Sequence, residues 1–172
     1  MVVVRSEVFD GRGEETPARH AGTGVMTFTR LPRDVSDADE GPRRREVGVR
    51  HTMSDDQARF DQSPADKMGL LEIEPGVLEL EKSPYVLNSF GTVNGGATAI
   101  TVACAAESAV GGGVATDLSV RYVGRAGEGP VRTASRAMAD YGGYVSVDIE
   151  LVDTSNNDGL VALATVGVAK PE

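Results

Sequence analysis

The residues best suited to chemistry lie in the stretch NSFGTVNGGATAITVACAAE, residues 88–107. Two asparagines and three glycines, residue types that form turns and cap helices, stand directly before an apolar run. That run carries no charge before Glu107 and is apolar nearly all round, so it predicts a buried helix from Gly95 or Gly96 to Val110. The first N–H groups of such a helix have no partner inside it and can bind an anionic oxygen.

Strand patterns stand on both sides of this helix in the sequence. The stretch LLEIEPGVLELEKS holds two short strands around a turn at Pro75 and Gly76. After the helix, a run of three glycines is followed by strand candidates at residues 114–124, 130–140, 144–153 and 159–170. Hairpin-like loops separate these strands. The sequence therefore predicts an α+β fold, with one long central helix wrapped by an antiparallel β-sheet.

Composition excludes several classes of function. The chain of 172 residues is long enough for one ordinary domain or two very small ones. Its net charge of -9 argues against a general nucleic-acid or anionic-membrane binder. The single cysteine, Cys104, cannot form an intrachain disulfide, which indicates a reducing compartment and favours a cytoplasmic protein. The sequence contains no long apolar signal region and no apolar run approaching the roughly 18 residues of a membrane span.

The N-terminal part of the chain differs in composition from the rest. Residues 1–30 predict a β-hairpin, because two strand-like stretches flank the loop-like GRGEETPARH. Residues 31–65 are polar and charged without a period, so we expect a partly disordered linker. Ser54 and Gln57 have the spacing of a capping box, and a second short helix could follow Ser63. The compact domain is then expected over residues 66–172.

The N-terminal hairpin resembles the last hairpin of the chain. Aligning Glu7 with Glu150 and Arg30 with Lys170 matches the apolar positions of both strands: Val2, Val4, Val8, Met26 and Phe28 with Val145, Val147, Leu151, Val166 and Val168. One interpretation is chance, since any two hairpins share alternation. The other is that residues 1–30 are the last hairpin of a preceding copy of the same domain. Either way, the hairpin must add to a sheet edge, because a lone hairpin is marginal in water.

The pattern N-x-x-G-x-x-(H or N)-G-G, followed by a buried helix and four strands, resembles the hotdog-fold thioesterases, in particular the PaaI-like acyl-CoA thioesterases of the phenylacetate pathway. The matching residues are Asn88, Gly91, Asn94, Gly95 and Gly96. Later stretches, TDLSVRYVG, GPVRTASRAMADYGG and VDIELVD, match the family's strands in order and spacing, so that the resemblance covers about residues 66–170. It implies a hotdog fold, a homodimer or tetramer, and an acyl-CoA substrate with no cofactor besides its own coenzyme A.

The resemblance also implies roles for residues. The amides of Gly95 and Gly96 would hold the oxyanion formed when water attacks the thioester, and the missing Cβ atoms would leave room for the acyl group. Asn88 would orient the acyl group, and Asn94 would bind the thioester or fix the loop. Gly91 and Arg125 are candidate substrate-binding residues, although Arg125 could equally be a solvated or salt-bridged surface residue. Alternatively, the asparagines and glycines only make a tight connection into the helix, with an asparagine as its N-cap.

The sequence departs from the family at the usual catalytic carboxylate. In the family it follows nine residues after the His or Asn, and counting from Asn94 reaches Ala103. Glu107 lies one helical turn later on roughly the same face, and it is either a substitute base or a C-terminal residue meeting solvent. Two hypotheses follow. The chain is an acyl-CoA thioesterase with Glu107 as base, or it is a non-catalytic acyl-CoA-binding or structural half of a tandem hotdog protein.

Other candidate groups are weaker. Cys104 has no histidine near it in sequence, and buried free cysteines are common. His20 and His51 lie in loop-like or linker sequence without a metal-ligand spacing, so no metal is expected. The hydratases of the hotdog fold need a catalytic His and Asp in this region, and no histidine lies there, which argues against dehydration. A DNA-linked regulator also lacks support, because no helix-turn-helix pattern precedes residue 65.

Overall fold

The computed structural model describes residues 2–10, 19–28, 62–88, 90–126 and 129–171. The chain divides into two units, Met1–Thr52 and Met53–Glu172. Most of the expected linker, including the proposed helix after Ser54, lies outside the described residues. No helix in the described ranges is long and apolar enough to cross a membrane.

The first unit contains one β-hairpin. Strands β1 (Val2–Asp10) and β2 (Arg19–Phe28) pair antiparallel as a two-stranded sheet. Their register is interrupted once, between Val8 and Phe9. The strand-forming residues and alternation of this segment account for both strands.

The second unit is built from two helices and six strands. In chain order they are α1 (Pro64–Met68), β3 (Leu70–Glu74), β4 (Val77–Leu80), α2 (Gly95–Ala109), β5 (Val114–Tyr122), β6 (Val131–Asp140), β7 (Tyr144–Asp153) and β8 (Gly159–Ala169). The strands form one antiparallel sheet in the order β3-β4-β6-β7-β8-β5. Short helix α1 begins at Ser63, whose hydroxyl accepts a hydrogen bond from the N–H of Asp66, and ends at Gly69 with a positive φ of 72°.

The core lies between α2 and the sheet. Helix α2 packs against β4, β5, β6, β7 and β8. It turns small side chains toward them, Ala97, Thr98, Thr101, Val102, Ala105 and Ala106, which lets the helix lie close to the sheet. On β7, the alternate residues Val147, Ile149 and Leu151 are buried, each worth about 1.5–3 kcal/mol of hydrophobic stabilisation. The predicted α+β architecture of one long helix against an antiparallel sheet is confirmed.

Burial of α2 is one-sided, which differs from the prediction. Its apolar composition all round predicts a fully buried helix, yet Ile100, Ala103 and Cys104 are only half-buried. The sheet covers one face of the helix, and the short helix α1 also packs against α2. The half-buried residues include Ala103, the position that carries the catalytic carboxylate in the family the sequence resembles.

Candidate functional site

Asn88 organises the loop that leads into α2. Its side-chain Oδ1 accepts hydrogen bonds from the N–H groups of Phe90 at 2.9 Å and Thr92 at 3.2 Å, and its Nδ2 donates to Thr92 Oγ1 at 2.8 Å. Its backbone carbonyl accepts from the N–H of Gly91, which has a φ of 71° that favours glycine. The amide of Asn88 is thus bonded on both sides within the loop, and Gly91 makes the turn.

Asn94 is the N-cap of α2. Its Oδ1 accepts a hydrogen bond from the N–H of Ala97 at 2.8 Å, and its Nδ2 donates to the carbonyl of Val86 at 3.0 Å. The backbone N–H of Asn94 donates to the same carbonyl at 2.8 Å. Val86 is fully buried, so Asn94 anchors the helix start to the core. An N-cap of this type is typically worth about 1 kcal/mol.

The cap leaves two amides free at the start of the helix. Asn94 satisfies the N–H groups of Ala97 and Thr98, the latter through its carbonyl at 3.1 Å. The N–H groups of Gly95 and Gly96 have no hydrogen-bond acceptor among the described residues, and both glycines are exposed. The helix dipole adds partial positive charge at the same place. Two adjacent donors at the end of a 15-residue helix are able to hydrogen-bond an anionic oxygen.

Tyr122 covers this helix start from the end of β5. Its hydroxyl donates a hydrogen bond to the carbonyl oxygen of Gly95 at 2.8 Å, and a Cβ added at Gly95 would lie 3.2 Å from that hydroxyl. Partial burial raises the pKa of Tyr122 above its ordinary value, so the hydroxyl keeps its proton as a donor. Tyr122 could not be recognised from the sequence, because it lies 27 residues from Gly95 and only the strand order brings the two together.

Comparison with known proteins identifies the architecture. The sequence matches no protein-family model and no curated protein. Among solved structures, a mutant of the thioesterase SAV0944 from Staphylococcus aureus matches with a TM-score of 0.55 at 17% identity, covering 62% of this chain and 98% of that one. BH2602 from Bacillus halodurans, solved with CoA, matches at 0.55 and 21% identity, covering 64% and 77%. The PaaI protein of the E. coli phenylacetic acid degradation operon matches at 0.53 and 17%, covering 65% and 86%.

The chain has the hotdog fold. The resemblance drawn from the Asn-and-glycine loop, the helix and the ordered strands is therefore confirmed at the level of the fold. The hotdog sheet explains the geometry of the site, because edge strand β5 ends beside the start of α2 and delivers Tyr122 there.

Glu107 lies at the opposite end of the hotdog helix from the free amides. Its Oε1 accepts a hydrogen bond from the N–H of Ala115 at 2.8 Å, which ties the last turn of α2 to the first residues of β5. Twelve residues separate Glu107 from Gly95, which is about 18 Å along a helix axis. Within one chain, therefore, Glu107 does not reach an oxygen bound by Gly95 and Gly96. The first turn of α2 has no acidic residue.

Arg125 belongs to the segment that follows β5. The carbonyl of its neighbour Ala126 accepts a hydrogen bond from the N–H of Val93 at 3.4 Å, which joins this segment to the loop before Asn94. Ala126 is buried, whereas Arg125 is exposed. Its guanidinium has no ion pair with any described residue. The fold thus brings an exposed cation to the same loop cluster as the free amides.

The remaining candidate groups of the sequence are Cys104, His20 and His51. Cys104 is half-buried in α2, and its burial, followed by the charges of Glu107 and Asp66, raises the pKa of the thiol. A protonated thiol is a poor nucleophile. His20 lies on β2, with its Nε2 3.0 Å from Thr23 Oγ1, and His51 lies outside the described residues. The described ranges contain no group of three His, Cys, Asp or Glu side chains placed to hold a metal ion.

Proposed function

We propose that this chain binds an acyl-CoA thioester with the carbonyl oxygen at the N–H groups of Gly95 and Gly96. The observation that carries the proposal is this pair of amides at the N-terminus of the hotdog helix. No described residue accepts a hydrogen bond from either amide. A thioester oxygen that gains negative charge is stabilised by such donors and by the helix dipole. The fold that the chain shares with the thioesterase SAV0944, and with a protein solved with CoA, supports the same ligand class.

We propose thioester hydrolysis as the reaction of this site. Water attacks the thioester carbon, the carbonyl oxygen becomes anionic, and the two amides bind that oxygen. Collapse of the adduct restores the carbonyl, breaks the carbon–sulfur bond and releases the carboxylic acid and the coenzyme A thiol. The attacking water must lose a proton, and a positioned base typically contributes about 10²–10⁴-fold to such a step.

A base for this reaction would come from a second copy of the chain. Glu107 is the one carboxylate of α2, and it is about 18 Å from the amides of its own helix. Two features support a dimer: the open edge of β5, where Leu118 and Tyr122 are 41% and 55% exposed, and the half-buried face of α2 around Ala103. We propose that Glu107 of a second copy is the base at this site.

We also propose that the protein is cytoplasmic, because its single cysteine indicates a reducing compartment.

The second candidate function is binding without turnover. Ala103 stands where the catalytic carboxylate is expected, and the first turn of α2 contributes no acid. A site with both amide donors but no base binds a thioester and leaves it intact. In either function, we propose that Arg125 binds a phosphate of the coenzyme A, because a guanidinium pairs well with phosphate oxygens.

The test removes one amide donor without disturbing the helix. Gly95→Pro deletes the N–H at the first helical position, where proline is well tolerated, and Asn94 before it has an extended ψ of 155° that suits proline. Gly95→Ala is the matched control, because it adds the same Cβ near Tyr122 but keeps the N–H. Thiol release is measured on short, long and aromatic acyl-CoAs, and binding by calorimetry.

We expect Gly95→Ala to keep most of its activity, and Gly95→Pro to lose about 10²–10³-fold in turnover. Turnover by the wild type identifies the thioesterase, whereas saturable binding without turnover identifies the binding function, with Gly95→Pro then weakening the affinity. A wild type with neither turnover nor binding overturns the proposal. Equal turnover and equal affinity of the two variants would show that the thioester does not bind at these amides.

A further inference from the structure

The first hairpin repeats the strand register of the last hairpin. Val2 pairs with Phe28 and Val8 with Gly22 in β1–β2. Adding 143 to the first number and 140 to the second gives Val145 with Val168 and Leu151 with Ala162, which are pairs of β7–β8. The same two shifts convert each of the other pairs between β1 and β2 into a pair between β7 and β8. The two hairpins therefore coincide residue by residue.

The two hairpins also share the position of their irregularity. In β1–β2 the register shifts between Val8 and Phe9, and in β7–β8 it shifts between the equivalent residues, Leu151 and Val152. Alternation of apolar residues is common to all hairpins, but it does not place a bulge. A bulge at the same step therefore argues against chance similarity and for a duplicated hairpin.

The environment of β7–β8 defines what such a hairpin requires. The outer edge of β7 pairs with β6, and the outer edge of β8 pairs with β5. Helix α2 packs against both strands. By contrast, β1 and β2 form a sheet of only two strands, and no third strand among the described residues pairs with either. A two-stranded hairpin is marginal alone, and its open edges are templates for strand addition.

We propose that β1–β2 is the last hairpin of a second hotdog unit. Its partner is a polypeptide segment that supplies a helix like α2 and strands like β5 and β6. In that unit a β6-like strand pairs with the edge of β1, a β5-like strand pairs with the edge of β2, and the helix covers Val4, the equivalent of fully buried Val147. This proposal is independent of the proposed function, since it concerns assembly and not the thioester site.

The first measurement is hydrogen exchange on the full chain alone. Without its partner, β1–β2 should open readily, so we expect its amides to be at least about 100-fold less protected than those of β7–β8. Equal protection of the two hairpins would overturn the proposal, because β1–β2 would then already have its packing partner in this chain or in a second copy.

The second measurement supplies the partner segment. Residues 62–143 of this chain contain the equivalent helix and strands, and Gly143 precedes Tyr144, the equivalent of Met1. A second copy of residues 62–143 is therefore joined directly before Met1 of the full chain. We expect protection of β1–β2 to rise at least about 100-fold, toward that of β7–β8, which is the internal reference for an intact domain.

The control is the same extended chain with Val4→Asp. A charge at the position equivalent to Val147 should remove the protection of β1–β2 and leave that of β7–β8 unchanged. In the full chain without the added segment, Val4→Asp should leave the unfolding of the second unit unchanged. An added segment that gives β1–β2 no protection, or protection that survives Val4→Asp, would overturn the proposal.

Discussion

The hydroxyl of Tyr122 and the carbonyl of Gly95 are joined by a hydrogen bond of 2.8 Å. This bond ties the last residue of β5 to the first residue of α2, beside the free amides of Gly95 and Gly96. A substitution at the end of the strand should therefore affect the start of the helix.

Tyr122→Phe removes this bond while keeping the ring. Because the side chain is half-exposed, we expect a loss of about 0.5–1 kcal/mol in the free energy of unfolding, measured by urea denaturation. The raised pKa of Tyr122 favours the protonated hydroxyl in the folded state. The stabilisation should thus be fully present below about pH 10 and be lost as pH rises through the raised value. Tyr141→Phe, at a 71% exposed site, is the control. Indistinguishable variants would contradict a structural role for the bond.

Asn94 allows stability and ligand binding to be separated. Asn94→Ala loses the cap and should destabilise the chain by about 1 kcal/mol or more in chemical denaturation, because the bond to Val86 is lost as well. Asn94→Asp keeps an acceptor for Ala97 but loses the amide donor to the Val86 carbonyl, so its stability should lie between those of the wild type and Asn94→Ala. Its carboxylate places negative charge beside Gly95 and Gly96, so thioester affinity in calorimetry should fall. Unchanged affinity in Asn94→Asp would argue against an anionic oxygen at this helix start.

Glu107 is tested by comparing two substitutions. Glu107→Ala removes the acceptor of the Ala115 N–H and should lower the free energy of unfolding by about 1 kcal/mol, whereas Glu107→Gln retains an acceptor oxygen and should cost less. If Glu107 of a second copy is the base, Glu107→Gln should also reduce thiol release at least about 100-fold at unchanged binding. Full turnover in a stable Glu107→Gln protein would show that this carboxylate only accepts the hydrogen bond of Ala115 at the helix end and is not the base.

Cys104 should react slowly at neutral pH. Burial raises the pKa of its thiol, so the reactive thiolate forms only at a higher pH than in a free cysteine, whose value is about 8.5. Alkylation by iodoacetamide, followed by mass spectrometry against glutathione as reference, should stay slow at about pH 8 and accelerate above that. Cys104→Ala should leave thioester binding unchanged. Rapid alkylation at neutral pH would contradict the assignment of a protonated, buried thiol.

Gly124 should be intolerant of a side chain. A Cβ at this position would fall 2.2 Å from the carbonyl oxygen of Leu160, and a backbone atom in a sheet cannot easily move aside. We expect Gly124→Ala to cost about 1–3 kcal/mol in thermal or chemical unfolding. Gly143→Ala is the matched control, since a Cβ there meets no atom within 4 Å. Equal stability of the two variants would show that the backbone after β5 shifts to accommodate the added Cβ.

The sequence by itself determined the local elements. Glycines after residue 110 end α2, an asparagine before two glycines begins it, and alternation of apolar residues marks the strands around it. These features depend on residues within a few positions of each other, so a linear pattern contains them. The N-cap role of Asn94 is of the same local kind.

Only the tertiary structure decided which residues meet at the helix start. Tyr122 reaches Gly95 because β5 lies at the edge of the sheet next to β8, an arrangement set by long-range pairing that no local pattern encodes. The one-sided burial of α2 likewise depends on how many sheets cover the helix, whereas its composition reports only that its residues are apolar. The loop role of Asn88 required its actual hydrogen bonds, because an asparagine amide serves a turn or a ligand equally well.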